Sequence, residues 1–128
     1  MDANEFLHSL CEYEKSRPIM AVWRSDEEHV AMEEVTSVSV RPGRVLLHTA
    51  SHDEHTELWP RACRGNITVG DVTDLVEIED RSAEVRIIYY APEHACVGVQ
   101  PVVALCPFRE ALLVATQSYV DLAEASDM

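Results

Sequence analysis

The sequence resembles itself when it is shifted by 65 residues, and this internal similarity restricts the possible folds more than any other feature. Ten positions between residues 5 and 51 are identical to their counterparts at that shift. They include Leu10 with Leu75, Glu28-His29 with Glu93-His94, and Pro42 with Pro107. A repeat of this length is typical of one supersecondary unit, so the two copies are expected to build a shared core.

Each copy has the pattern of one helix followed by three strands. Apolar residues recur at helical spacing in both copies: Leu7, Leu10 and Cys11 in the first, and Val72, Leu75 and Val76 in the second. Thr68-x-x-Asp71 is a capping-box pattern that predicts the start of the second helix. Both helices are expected to end near the charged stretches 14–17 and 79–82. β-Branched and aromatic residues predict strands at 19–23, 30–40 and 45–49, and at 84–88, 96–105 and 111–116.

A hairpin turn is predicted between the second and third strands of each copy. Arg41-Pro42-Gly43-Arg44 suits a type II turn, because proline presets φ at the second position and glycine accepts a positive φ at the third. The counterpart, Cys106-Pro107-Phe108-Arg109, lacks the glycine. Residues 109–117 could instead be helical by composition. A strand is predicted instead, because the matching segment of the first copy follows the Pro42-Gly43 hairpin turn.

These elements predict a single α+β domain over residues 1–128, built as a tandem duplication of a helix–strand–strand–strand unit. The first repeat covers about residues 4–50 and the second about 68–116, with a polar linker at 51–66 and an acidic tail at 117–128. The expected architecture is a mainly antiparallel sheet with two helices on one side. The alternative is an unrelated α+β domain in which the matched positions are coincidental.

Two short segments of the second copy resemble a known module. Thr68-Val69-Gly70-Asp71-Val72, followed by Ala83-Glu84-Val85-Arg86-Ile87, is similar to a small helix–strand module of uncharacterised bacterial and phage proteins. The resemblance covers residues 68–90. It implies a helix followed by a strand and a phage or mobile-element origin, and it brings no catalytic residue to this chain.

The chain is strongly acidic, with 23 acidic residues against 10 basic ones and a formal net charge of −13. A negative field repels phosphates, which argues against direct binding to nucleic acid or to an anionic membrane and favours a basic protein surface as partner. The candidate partner-binding residues are Asp26, Glu27, Glu28, Glu33, Glu34, Asp74 and Glu77. The alternative is that the charge only keeps the protein soluble.

The cysteines and the N-terminal residues indicate a reducing compartment. The four cysteines form no CxxC pair, so they are interpreted as reduced and mostly buried, and the sequence leaves open whether any of them is reactive. The first residues show no signal-peptide pattern, and no apolar run approaches the ~20 residues of a membrane span. A cytoplasmic protein without a cofactor is expected.

One histidine cluster could carry metal chemistry. His48, His52 and His55 stand at i, i+4 and i+7, which would place them on one face of a helix as zinc ligands. Their neighbours are typical of a loop, which would separate the ligands.

Glu28-His29 and Glu93-His94 could form an acid/base pair, although turn chemistry is the simpler interpretation. The chain has no GxGxxG or GxxxxGK[ST] loop, and we expect it not to be an enzyme.

The leading hypothesis is therefore a small acidic protein that docks on a basic surface of a partner. By size and charge it is comparable to phage inhibitors of host nucleic-acid-targeting defence enzymes, such as anti-CRISPR proteins and nucleic-acid mimics, and to immunity proteins. A first alternative is a metal-dependent enzyme that uses His48, His52 and His55. A second is a structural subunit that forms a homodimer or larger homo-oligomer.

The purified protein is expected to carry no tightly bound metal, because a polar, turn-like segment cannot hold three histidine ligands rigidly. Elemental analysis of the purified protein tests this expectation. Stoichiometric zinc that is lost in His52→Ala would contradict it and would favour the enzyme hypothesis.

Overall fold

The computed structural model describes residues 1–26, 29–51, 67–75, 82–91 and 95–126. Three helices are defined within these ranges: α1 Ala3–Leu10, α2 Val69–Leu75 and α3 Gln117–Ser126. Six strands are defined there as well: β1 Ile19–Arg24, β2 Val30–Arg41, β3 Arg44–Thr49, β4 Glu84–Ala91, β5 Cys96–Phe108 and β6 Ala111–Thr116.

The six strands form a closed barrel in which they follow one another in chain order. The pairs β1–β2, β2–β3, β4–β5 and β5–β6 are antiparallel, whereas β3–β4 and β6–β1 are parallel. The predicted mainly antiparallel sheet with two helices on one side is therefore wrong. Each antiparallel set of three strands has two open edges, and the two parallel pairings join all four edges and close the sheet.

The helices do not share one side of a sheet. The amide of Ala3 in α1 donates to the carbonyl of Ala83 (2.7 Å), and the amide of Val69 in α2 donates to that of Arg17 (2.9 Å). Each helix is thus bonded to the segment that leads into the first strand of the other half, and both cover the barrel end where β1 and β4 begin. Helix α3 instead packs on the outer surface, where Tyr119 and Val120 contact the cluster that contains Val22 and Leu113.

The interior of the barrel is apolar, because alternate residues of each strand point inward. Fully buried interior side chains include Ile19, Val35, Val45, Leu47, Val85, Ile87, Val102, Leu112 and Val114. Phe6, Leu10, Val69 and Val72 from the two end helices belong to the same cluster. The hydrophobic core therefore runs from the barrel into the helical cap.

The strand pairings of the two halves correspond, but at a different offset from the one predicted. Trp23 pairs with Ala31 and Tyr89 pairs with Gly98, so the first strands differ by 66 residues and the second strands by 67. A bulge lies between Val35 and Ser37 and another between Val102 and Ala104, again 67 residues apart. The predicted offset of 65 is thus one or two residues short. A slip of one residue would turn every strand side chain to the opposite face.

Several local predictions are confirmed. Thr68 and Asp71 form a reciprocal capping box, with Thr68 N to Asp71 Oδ2 at 2.9 Å and Asp71 N to Thr68 Oγ1 at 3.2 Å. Gly43 has φ 78° in the β2–β3 turn, as a type II turn requires. Residues 111–116 form a strand and not a helix. The turn predicted at Cys106–Arg109 is displaced, by contrast: Cys106 to Phe108 belong to β5, and Arg109 takes the positive φ of 56° in the turn that joins Phe108 to Ala111.

One predicted helix end is wrong. Helix α1 ends at Leu10, before the charged stretch that was expected to end it, and Glu14 to Arg17 follow as turns. The tail expected at 117–128 contains the ten-residue helix α3. Residues 52–66 of the predicted linker lie outside the described residues.

Two aromatic rings close the barrel interior at the end opposite helices α1 and α2. The rings of Trp23 and Tyr89 stack with their centroids 4.4 Å apart and their planes at 21°. A Cβ atom on Gly98 would lie 2.5 Å from Tyr89 Cζ, so the ring occupies the space that a side chain would need. Tyr89 Oη accepts a hydrogen bond from Gln100 Nε2 at 2.7 Å. Glycine at position 98 therefore permits the stack.

Gly98→Ala is expected to lower the free energy of unfolding by about 1–3 kcal/mol, because the new methyl group must displace a packed ring. Urea denaturation measures the change. The same substitution in a Tyr89→Ala background should cost less, since the clash is then absent. Equal costs in both backgrounds would contradict the assigned contact.

Candidate protein-binding surface

The turn between β1 and β2 is held by Asp26. Its Oδ1 accepts a hydrogen bond from the amide of His29 (2.8 Å), and the same atom lies 2.8 Å from His29 Nδ1. The amide of Ser25 donates to the carbonyl of His29 at 2.9 Å and closes the hairpin. The Asp26 side chain is half exposed, so this predicted site residue both stabilises the turn and displays its carboxylate. Glu27 and Glu28 lie outside the described residues.

The adjacent carboxylates Glu33 and Glu34 point to opposite faces of β2, as alternation along a strand requires. Glu33 is half-buried, and its Oε1 accepts a hydrogen bond from the amide of Ser51 at 2.7 Å. Glu34 is exposed. Of this predicted pair, only Glu34 therefore presents its carboxylate fully to a partner.

Asp74, another predicted acidic residue, belongs to the opposite end of the barrel. Asp74 lies in α2, where the amide of Val69 donates to the carbonyl of Arg17, two residues before β1. The Asp26 turn instead follows β1. The length of β1, six residues, separates the two ends by about 20 Å. The structure therefore does not bring Asp74 together with Asp26 and Glu34. The side chain of Asp74 and all of Glu77 lie outside the described residues.

Exposed apolar side chains precede the Glu34 carboxylate on the outer face of β2, and sequence reasoning did not identify them. Val30 is 41% exposed and Met32 is 43% exposed on the outer face of β2. Val97 and Val99 occupy the corresponding positions of β5 and are 46% and 45% exposed. The available signal was the alternation itself, because Val30, Met32 and Glu34 share one face of the strand while Glu33 and Val35 share the other.

Of the three histidines predicted as candidate metal ligands, the structure describes only His48. His48 on β3 is buried (3% exposed), and its Nε2 lies 2.7 Å from Ser39 Oγ across the strand pair. His52 and His55 lie outside the described residues. Within the ranges that the structure describes, no group of three or more His, Cys, Asp or Glu side chains is placed to hold a metal ion.

The prediction of mostly buried cysteines is wrong for the three described ones. Cys11, Cys96 and Cys106 are free thiols with exposed side chains. Cys11 was expected on the apolar stripe of α1, but the helix ends at Leu10 and Cys11 is its C-cap. Its thiol lies 3.3 Å from the carbonyl oxygen of Leu7. Cys63 lies outside the described residues.

A cleft of about 360 Å³ lies between the α1–β1 linker and the β5–β6 turn. Its lining residues are Glu14, Ser16, Arg17, Pro18, Arg109 and Glu110. Arg17 Nη1 donates to the carbonyls of Arg109 (3.3 Å) and Ala111 (3.0 Å), so the guanidinium ties the linker to the turn. The two arginines and two glutamates balance in charge, and the cleft contains no paired nucleophile and base.

Comparison with protein-family models, with curated proteins and with solved structures found no significant match to this chain. None of the helices in the described ranges is both long and apolar enough to cross a membrane.

Glu33→Gln is expected to change the free energy of unfolding by less than about 0.5 kcal/mol, because the amide oxygen can accept the Ser51 bond. Gln100 already occupies the corresponding position of β5. Glu33→Ala should cost about 1–2 kcal/mol, since it removes the acceptor from a half-buried amide. Chemical denaturation of both variants distinguishes the two effects. Equal losses would show that the Ser51 bond does not stabilise the fold.

Proposed function

We propose that this chain is a small, non-enzymatic acidic protein that binds a basic surface on a partner protein. The observation that carries the proposal is the display of carboxylates on a chain of net charge −13. The described acidic residues with exposed side chains are Glu5, Glu12, Glu14, Asp26, Glu34, Asp71, Glu110, Asp121 and Glu124. Their field would favour a basic partner and accelerate its association.

Few of these carboxylates form an ion pair with another described residue. Among ion pairs formed between described residues, Glu84–Arg86 joins a carboxylate to an arginine at 2.8 Å, and Asp26–His29 joins one to an imidazole. The Arg86 guanidinium donates a hydrogen bond to Glu84 and lowers the pKa of that carboxyl below its usual value. Neither member of that pair belongs to the proposed surface, and Glu34 has no basic partner among the described residues.

The proposed partner is a protein with a basic groove or patch, and a nucleic-acid-binding enzyme is the class that offers one most often. A phage-type inhibitor of a host defence enzyme, anti-CRISPR-like or mimicking nucleic acid, and an immunity protein are forms of the same proposal. Each would act in the cytoplasm through electrostatic attraction and without a cofactor.

Capture of a partner from a host lysate is expected at about 0.05 M salt and should weaken strongly at about 0.5 M, because added salt shortens the Debye length. Glu34→Lys should reduce the association rate several-fold. Glu124→Lys makes the same charge change on α3 and is the matched control, with a smaller expected effect.

Surface plasmon resonance at several salt concentrations measures both rates for the captured partner. Equal binding at low and high salt, together with wild-type behaviour of both variants, would contradict the proposed function. Light scattering at two protein concentrations tests the homo-oligomer alternative, which predicts a mass that rises with concentration.

A further inference from the structure

We infer that the outer edge of β2, from Val30 to Glu34, accepts an extended basic segment of the partner as an added strand. The inference rests on the proposed function for the charge of the partner. The strand edge itself is inferred from hydrogen-bond geometry, which does not depend on that charge.

Within the described part of the chain, the backbone of this segment has hydrogen-bonding groups without a strand partner on the side away from β1. Ser25 N donates to His29 O, so residues 25 and 29 form a hydrogen-bonded pair. Antiparallel pairs alternate, and the next hydrogen-bonded pairs with β1 therefore involve Ala31 and Glu33. The N–H and C=O groups of Val30, Met32 and Glu34 consequently turn away from β1.

No described strand pairs with that side of the segment. Strand β3 ends at Thr49, which pairs with Val35, so β3 does not reach the outward backbone groups of Val30 and Met32. Backbone groups on an open strand edge are a template for another chain in extended conformation. Addition of a strand at such an edge is a recurrent mode of peptide recognition.

The side chains of the same residues suit a strand-shaped ligand. Val30 and Met32 present apolar surface at i and i+2, and Glu34 continues the row with a carboxylate. A peptide with alternating apolar and basic residues could place its apolar side chains beside Val30 and Met32. Its cations would then lie close to Glu34 and to the Asp26 turn.

The corresponding edge of β5 explains why β2 is the favoured site. Val97 and Val99 match Val30 and Met32 in position and exposure, but Pro101 stands where β2 has Glu34. Proline has no N–H, and proline on an edge strand is a common protection against strand addition. The second edge therefore lacks one donor and one carboxylate that the first possesses.

Charge also selects the first hairpin and argues against a second copy of this chain. Residues 24–34 contain five carboxylates and one arginine, whereas residues 90–101 contain one carboxylate and neither lysine nor arginine. Pairing two β2 edges would bring two negative segments together, and like charges on adjacent strands destabilise the pairing. A basic strand is attracted to the same place.

The test uses a synthetic peptide of four Lys-Val repeats, blocked at both ends, added to the full chain at about 0.05 M salt. Amide hydrogen exchange followed by NMR reports each residue. Exchange should slow at Val30, Met32 and Glu34, and it should remain unchanged at Ala31 and Glu33, whose amides already bond to β1.

Two substitutions exchange the features of the two edges. Glu34→Pro copies a residue that the fold accepts at the corresponding position of β5, and it should weaken peptide binding about tenfold. Glu34→Gln keeps the N–H and should weaken binding only roughly two- to fivefold. Pro101→Glu should create a second site, with new protection at Val97 and Val99.

Other outcomes would overturn the inference. Peptide binding with protection elsewhere would place the acidic site on another surface and leave the proposed function standing. Protection of the β2 edge at high protein concentration without peptide would identify a second copy as the occupant. If the peptide does not bind, the inference is wrong. The proposed function is contradicted only if, in addition, no partner binds in a salt-sensitive manner.

Discussion

Closure of the barrel by two parallel strand pairs is the constraint on which the rest of the structure depends. Each half supplies three antiparallel strands, which alone would leave two open edges in each half. The β6–β1 and β3–β4 pairings join these edges and place the interior faces of both halves around one core. Without the joins, neither half has a partner for its buried face, and helices α1 and α2 have no barrel end to cover.

Each parallel strand pairing ends at the same combination of hydrogen-bonded side chains, one threonine and one serine. Thr49 and Thr116 are fully buried, and their hydroxyls donate to the carbonyls of Ile88 (3.0 Å) and Val22 (3.2 Å) across the parallel pairs. Two residues later, Ser51 and Ser118 accept hydrogen bonds from backbone amides of the opposite strands. These side chains end the third strand of each half. The β1–β2 and β4–β5 hairpins continue beyond that level, which leaves their outer edges without a strand among the described residues.

Function is proposed where the two halves differ within this common plan. The hairpins share their register and their exposed apolar positions, but Glu34 corresponds to Pro101, and the carboxylates are concentrated in the first hairpin. A basic partner distinguishes two edges of similar shape by charge and by one backbone donor. The net charge attracts the partner from a distance. The outer edge of β2 then orients the partner on contact.

Local features of this fold could be predicted from the sequence, whereas its closure could not. The Thr68 capping box and the Gly43 turn depend on neighbouring residues only, and both predictions are confirmed. Which edges pair depends on contacts between distant strands, which a periodic pattern does not specify. The offset of 65 is wrong because it rests on scattered residue identities, which do not fix strand register. Adjacent glutamates such as Glu33 and Glu34 acquire different roles only when the inward face is known.

The most direct test of this account is amide hydrogen exchange along β2 in the free protein. Exchange rates are expected to alternate from Val30 to Glu34, with fast exchange at Val30, Met32 and Glu34 and slow exchange at Ala31 and Glu33. After Val35, neighbouring amides of β2 should exchange at similarly slow rates, because β3 pairs with the other side of the strand there. Uniformly slow exchange from Val30 onward would show that the edge is already covered and would contradict the proposed binding surface.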